Sequence, residues 1–214
     1  YNGEVLSIDK SNKNYGGIIL DKGYYGKCIH PDSYININYK TQQVKDFFDE
    51  YTGKNVKIKD FYNSFTKENS EFDGCGNWYD LKDNIMIESY DSNSNTICYR
   101  KIKKIYKKFI NEKLKIITLN NEYQIKITFN HKLYVFDGKK FSWTNNFKEG
   151  NIIIIIENDS LLSSTTIKSI QYEEYEGFVY DFSIDQTKNF FANGILCHNT
   201  SQHIINNKIS FGNS

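Results

Sequence analysis

Gly177-Phe178-Val179-Tyr180-Asp181-Phe182-Ser183-Ile184-Asp185-Gln186-Thr187-Lys188-Asn189-Phe190-Phe191-Ala192-Asn193-Gly194-Ile195-Leu196-Cys197-His198-Asn199-Thr200 is the stretch on which the reading of this chain turns. Aromatic and β-branched residues crowd Gly177–Ile184 and Phe190–Cys197, with a polar interval between them, which predicts two strands and no helix. The second strand runs directly into His198-Asn199-Thr200. An Asn side-chain amide can attack its own main-chain carbonyl, close a five-membered succinimide and cut the chain. A neighbouring imidazole can polarise that carbonyl, and Thr200 carries a nucleophilic hydroxyl beyond the cut. Taken alone, such a tripeptide more often marks a polar turn, so the chemistry has to be asked for elsewhere in the sequence.

Outward from this stretch the pattern stays β. Ile167–Gln171 reads as a strand, preceded by a polar linker over 158–165 and by the unbroken apolar run Ile152–Ile156, which fits a strand buried on both faces. Leu133-Tyr134-Val135-Phe136 ends at the hairpin signal Asp137-Gly138. Leu114, Ile116 and Thr118 alternate, Asn120-Asn121 makes a turn, and Tyr123, Ile125 and Ile127 return. Ile85-Met86-Ile87 is a short strand before a turn at 92–95, and Ser33–Tyr39 alternates loosely as another. Val44, Phe47, Phe48 and Tyr51 fall at helical spacing with Gly53 as a stop. Residues 54–83 read as an irregular insertion holding a short strand or helix.

Composition bounds the function. The chain has 214 residues, enough for one domain with a sizeable core, and aromatics at 16% suit strands. With 27 basic and 26 acidic residues its formal net charge is +1, which gives no bulk electrostatic case for nucleic acid or an anionic membrane. No run approaches the ~18 apolar residues of a membrane span, and the first residues lack a secretory signal pattern, so an intracellular setting is expected. Cys28, Cys75, Cys98 and Cys197 are far apart and form no C-x-x-C. That argues against a disulfide framework, and leaves a zinc centre from Cys28, His30, Cys197 and His198 as a remote option. The basic run Arg100–Lys108 invites a nucleic-acid reading, against which stands a solvated strand face with its lysines outward.

Three further signals call for acyl chemistry. Cys28 follows Gly26-Lys27, and a thiol there can attack the Lys27 carbonyl and convert the amide into a thioester. Thr128-Phe129-Asn130-His131 ends a strand with a hydroxyl and an imidazole able to converge on one peptide group, the ring donating to a leaving amine and the hydroxyl steadying an oxyanion. Asp181, if buried in its aromatic strand, is a costly carboxylate with a general-acid tendency.

In this order and spacing, Cys28, Thr128-Phe129-Asn130-His131, the segment His131–Gly138 followed by Phe147–Asn151, and Gly177–Thr200 together resemble the splicing blocks of inteins. The resemblance runs from Cys28 to Asn199 and is poorest over 54–83. It implies the all-β HINT horseshoe, mostly antiparallel strands with one or two short helices. No segment like a LAGLIDADG homing endonuclease occurs, so it implies a mini-intein, 28–199, between flanks 1–27 and 200–214. By the same resemblance the catalytic set is Cys28, Thr128, Asn130, His131, Asp181, His198, Asn199 and Thr200. Thioester, branched-ester and succinimide steps would excise 28–199 and join Lys27 to Thr200. This would happen once per molecule, without cofactor or metal, in a monomer acting on its own flanks. One position departs from the pattern: Lys188 stands where such blocks often carry a His before Asn-Phe, and becomes a further candidate. The flanks, through 17–22, Gly26, His203-Ile204-Ile205 and Phe211-Gly212-Asn213, are similar to a segment of the largest subunit of multisubunit RNA polymerases, which implies such a host. The competing expectations are a HINT-type domain that cleaves without ligation and a nucleic-acid-binding module on the basic strip.

Overall fold

The computed structural model describes residues 27–52, 71–72, 76–81, 83–157 and 160–199. The Gly53 stop, most of the 54–83 insertion including Cys75, Thr200 and, apart from Lys27, both flanks lie outside the described residues. In chain order the elements are β1 (Tyr34–Ile37), β2 (Lys40–Gln43), α1 (Val44–Thr52), β3 (Glu71–Phe72), β4 (Gly76–Asp80), β5 (Met86–Asp91), β6 (Thr96–Leu119), β7 (Gln124–Thr128), β8 (Leu133–Phe136), β9 (Phe141–Thr144), β10 (Ile152–Glu157), β11 (Leu161–Ile184), β12 (Asn189–Ala192) and β13 (Ile195–His198). This is the expected all-β architecture, antiparallel at every pairing, with one short helix among the described residues.

Two 24-residue strands carry the architecture. β6 pairs in turn with β5, β4 and β7, and β11 follows it antiparallel from Ile167 opposite Leu119 to Ile184 opposite Ile102. From β11 the order runs β10, β8, β13, β12, β1, β5 and back to β6, so the path of strands returns on itself. That return brings the segment after Lys27 and the end of β13 into one structure. Ile29 bridges both Tyr180 of β11 and Ile127 of β7, while Cys197 pairs with Leu133.

α1 packs as its spacing predicts. Val44, Phe47 and Phe48 are fully buried, and the Phe48 ring lies 4.6 Å from Tyr180 and 5.6 Å from Phe182. Each such phenylalanine contributes roughly 1.5–3 kcal/mol by leaving water. Asp46 in the first turn complements the helix dipole.

Four expectations change. Ser33–Tyr39 is not one strand, because the chain reverses at Asn38 and Tyr39, both at positive φ (48° and 65°), to pair β1 with β2. The run 190–197 is likewise a hairpin, broken by Asn193 (φ 49°) and Gly194 (φ 73°). A two-residue turn with both centres left-handed is what Asn-Gly supplies best. At Gly194 a Cβ would also lie 2.8 Å from the Tyr123 ring and 2.9 Å from the Ile156 carbonyl oxygen. The supposed linker 158–165 is mostly strand: β11 starts at Leu161 and pairs with all of β10. β6 begins at Thr96 and absorbs the basic run. Within that run Lys103 meets Asp185 at 2.7 Å and Arg100 meets Asp91 at 3.4 Å. Lys107, against the expectation of outward lysines, is buried over the Phe178 ring at 4.4 Å.

Candidate functional site

The site is built where β7, β11 and β13 converge on the segment Lys27-Cys28. Backbone bonds fix this segment first. The Ile29 N–H donates to the Tyr180 carbonyl at 2.9 Å, the Tyr180 N–H returns one to Ile29 at 3.1 Å, and the His30 N–H donates to Lys126 at 3.0 Å. Cys28 is thereby held at the end of β7. Its N–H donates to Thr128 Oγ1 at 2.8 Å, and the Thr128 N–H donates to the Cys28 carbonyl at 3.0 Å. The Thr128 hydroxyl thus rests on the nitrogen of the Lys27–Cys28 peptide and also donates to the Cys28 carbonyl at 3.3 Å. The Cys28 side chain is buried among Tyr106, Ile110, Leu114 and Val179.

His131 follows in a turn closed by its own N–H donating to the Thr128 carbonyl at 3.1 Å. Its ring is fully buried and neither nitrogen has a hydrogen-bond partner among the described residues. Burial, then the neighbouring His198, push its pKa down to about 3, with the Lys27 backbone acting in the opposite direction. The Lys27 main chain, by favouring the protonated ring, acts on it as an acceptor. A buried imidazole without a well-formed hydrogen bond costs stability and is the sort of group found where it is needed for chemistry.

Asp181 is fully buried and accepts from the Phe182 N–H at 2.7 Å. It opposes the lowering of the Lys27 ammonium pKa, which comes from burial and from Lys132. After burial, it is the main influence that pushes the Cys197 thiol up. Asp181 thus acts electrostatically both on Lys27 and on Cys197.

The far end of β13 carries the other half. The His198 N–H donates to the Lys132 carbonyl at 3.1 Å, and its ring stands edge-on to Trp143 at 4.8 Å. Nδ1 is in short contact with the Asn199 carbonyl oxygen, so in the Nδ1–H tautomer the ring polarises that carbonyl. Burial drives the His198 pKa down to about 4. Asn199 is buried; its N–H donates to the Lys188 carbonyl at 3.0 Å. Its carboxamide is satisfied at both ends when Nδ2 donates to the same carbonyl at 2.5 Å and Oδ1 accepts from the Ile184 N–H at 2.9 Å, at the bulge between Ser183 and Ile184.

Lys188 enters differently from the expectation. Its side chain is exposed, and what reaches Asn199 is its main-chain carbonyl, presented by a left-handed residue at φ 55°. Asn130 sits beside the turn, accepting from Asn145 Nδ2 at 3.5 Å. Asn189 escaped the sequence reading. Buried, it accepts from the Tyr90 N–H at 2.8 Å and donates to the Tyr90 and Thr187 carbonyls at 2.9 and 3.0 Å, which locks the loop that carries Lys188. The remote zinc option does not assemble: among the described residues no three His, Cys, Asp or Glu side chains are grouped to hold a metal. No helix among them is long and apolar enough to cross a membrane.

The two depressed imidazoles make acid a stress on the fold. Both rings take up protons near 6.5 when unfolded and near 3 or 4 when folded, so the unfolded chain binds more protons between those values. Their contribution is complete above about pH 6.5 and is lost as pH falls, each ring removing roughly 1.4 kcal/mol per pH unit until its folded pKa is reached. Urea midpoints should therefore drop between pH 7 and pH 4.5, and drop less in a His131→Gln variant. Equal slopes for the two proteins would contradict the assignment.

No protein-family model matches the chain. Among curated proteins, it is 34% identical over 111 residues to a DNA polymerase of Thermococcus aggregans, covering 50% of this chain and 6% of that protein. It is 39% identical over 66 residues to a probable translation initiation factor IF-2 of Pyrococcus abyssi, covering 31% of this chain and 5% of that one. The chain thus spans only a small fraction of these relatives. Among solved structures it superposes on the PabCDC21-1 intein with a TM-score of 0.69 at 18% identity, covering 81% of this chain and 99% of that one. It superposes on the TvoVMA intein with a TM-score of 0.67 at 25% identity, covering 82% and 99%. The fold is that of the inteins.

Proposed function

We propose that residues 28–199 form a protein-splicing domain that excises itself and joins Lys27 to Thr200. The observation that carries this reading is the convergence of two labile peptide groups on one buried imidazole pair. The Cys28 N–H rests on Thr128 Oγ1, whose own carbonyl closes the turn onto the His131 N–H, and the Asn199 carbonyl lies against His198, whose N–H is bonded to Lys132 next to His131. Bringing two chain ends to one place is the entropic requirement of ligation. The similarity to small pieces of a polymerase and an initiation factor, proteins of unrelated activity, supports a self-contained insert over a share in either activity.

The steps follow from the contacts. The Cys28 thiol adds to the Lys27 carbonyl. The amide nitrogen, whose hydrogen points at Thr128 Oγ1, leaves as the Cys28 amine after receiving a proton through His131, and Lys27 is left as a thioester. The Thr200 hydroxyl attacks that thioester and releases the thiol, giving a branched ester. Asp181, which acts on both Lys27 and Cys197, holds the two junctions in register. Asn199 Nδ2 then closes on the Asn199 carbonyl while His198 polarises the oxygen and the Lys188 carbonyl accepts the amide hydrogen. The succinimide ends the excised domain, Thr200 leaves with a free amine, and an O-to-N shift makes the new peptide bond. Every group is supplied by the chain, each molecule reacts once, and no cofactor takes part. In this reading the domain is a monomer acting on its own flanks inside the cell, without endonuclease activity, and the host is the largest subunit of a multisubunit RNA polymerase.

The test is to express 1–214 between two different tag proteins and weigh the products. Ligated tags with a free 28–199 fragment support splicing, whereas cleavage without ligation points to simple autoprocessing. A finer check is Thr128→Val, which keeps shape and removes the oxygen that Cys28 N–H uses. Thiol-induced cleavage at Lys27, followed in an Asn199→Ala background, should slow by roughly ten- to a hundredfold, with stability lowered by about 1–3 kcal/mol for the orphaned Cys28 N–H.

A further inference from the structure

Lys115 is a lysine on the buried face of β6, in line with Ile117 and Leu119, and is only 5% exposed. No carboxylate answers it in an ion pair among the described residues. Its ammonium donates to the Asn145 carbonyl at 3.1 Å and lies over two rings, Phe129 at 4.3 Å and Phe147 at 4.8 Å. Burial pushes its pKa down, which is the sign of an ammonium held where it costs free energy. Leucine or methionine would fill this face more cheaply. The partners show what the ammonium connects. Phe129 belongs to the turn between Thr128 and His131 and is 55% exposed, so apolar burial does not hold it down. Asn145 also reaches that turn, donating to Asn130 Oδ1 at 3.5 Å, and Phe147 anchors the loop entering β10. The same charge acts on the His131 ring.

We propose that Lys115 is a positioning residue for the Lys27–Cys28 junction: its buried ammonium clamps the Phe129–His131 turn onto the Asn145–Phe147 loop and so fixes the His131 ring against the Lys27 main chain. The inference rests on the splicing reading above. It separates from general support of the fold because His198 and Asn199 are held by other contacts, through Lys132, Lys188 and Ile184. Loosening the clamp should therefore harm one junction and spare the other.

The experiment uses the full chain between tag proteins, with Lys115→Met, Lys115→Arg and Phe129→Leu. Thiol-induced cleavage at Lys27 in an Asn199→Ala background reads the first junction. Cleavage after Asn199 in a Cys28→Ala background reads the second. Lys115→Met is expected to slow the first by about tenfold or more and to leave the second within about twofold, and Lys115→Arg should recover most of the loss. Phe129→Leu removes one ring of the cage from an exposed position. It should reproduce part of the defect, and it decides the matter if Lys115→Met does not fold. Unchanged cleavage at Lys27, or equal slowing at both junctions, overturns the proposal. A wild-type precursor that neither ligates nor cleaves defeats the splicing reading itself, an outcome distinct from a spliced wild type with an indifferent Lys115→Met.

Discussion

Cys28→Ala is expected to abolish ligation completely while leaving the protein folded and still able to cut after Asn199. The thiol is packed among Tyr106, Ile110, Leu114 and Val179, so its removal leaves a small cavity worth about 1 kcal/mol, well within the stability of an ordinary domain. The backbone contacts that place residue 28 involve its N–H and carbonyl, which alanine keeps. What is lost is the only group at this junction that can turn the Lys27 amide into a thioester. A hydroxyl such as that of Thr200 does not displace an amide at a useful rate, so no branched ester forms. In the proposed mechanism cyclisation of Asn199 relies on His198 and the Lys188 carbonyl, whose contacts alanine at 28 leaves in place. Mass measurement of the tagged precursor should show slow release of the C-terminal tag and no joined tags. Joined tags in this variant would remove Cys28 from the mechanism.

Much of this arrangement could be read in advance, for reasons that differ between elements. The strands β7 and β8 announced themselves by one strongly apolar face and a neighbouring turn signal, and β10 by an unbroken apolar run that is buried on both faces. α1 did so because four apolar residues share one stripe. β6 and β11 were only partly visible. Their two-stranded stretch is half exposed on both faces, so lysine, glutamate and serine interrupt any period, and cross-strand pairing alone defines it. The Asn193-Gly194 hairpin was present in the letters but hidden by continuous apolarity on both sides, since all of β12 and most of β13 are buried and alternation is lost.

The candidate site divides along the same line. Side chains whose chemistry is unusual, a thiol at Cys28, an imidazole at His131, an amide at Asn199, can be picked out by type and order. Groups that act through the main chain cannot. Nothing in the letter for Lys188 says that its carbonyl, displayed by a left-handed residue and braced by Asn189, receives the Asn199 amide. The position of Thr128 on the amide hydrogen is likewise a matter of strand register, which composition does not encode. Lys115 looked like one of many strand lysines, and its burial is decided by two loops more than ten residues away in sequence.

Asn199→Ala should be as severe at the other end, and its products should tell the order of events. Alanine retains the N–H that donates to Lys188 and the carbonyl against His198, so the backbone geometry survives. The carboxamide is gone, and with it the only nucleophile able to reach this carbonyl through a five-membered ring. Release of 28–199 should fall below detection, because attack by water on an amide forfeits the advantage of closure by a group already held beside the carbonyl. The first junction has its own contacts, and Cys28, Thr128 and His131 keep all of them. Thioester and branched ester should therefore still form and, lacking an exit, accumulate. Added thiol should discharge them as a cleaved N-terminal flank, and a mildly alkaline chase should hydrolyse the ester. If the variant instead yields only intact precursor that resists thiol, then Asn199 is needed before Cys28 acts, and the two halves of the site are coupled more tightly than their separate hydrogen bonds imply. Asn199→Gln distinguishes loss of the amide from its misplacement. It keeps the group on a longer arm, where closure must form a six-membered ring against the hold of Lys188 and Ile184, and should give trace release where alanine gives none.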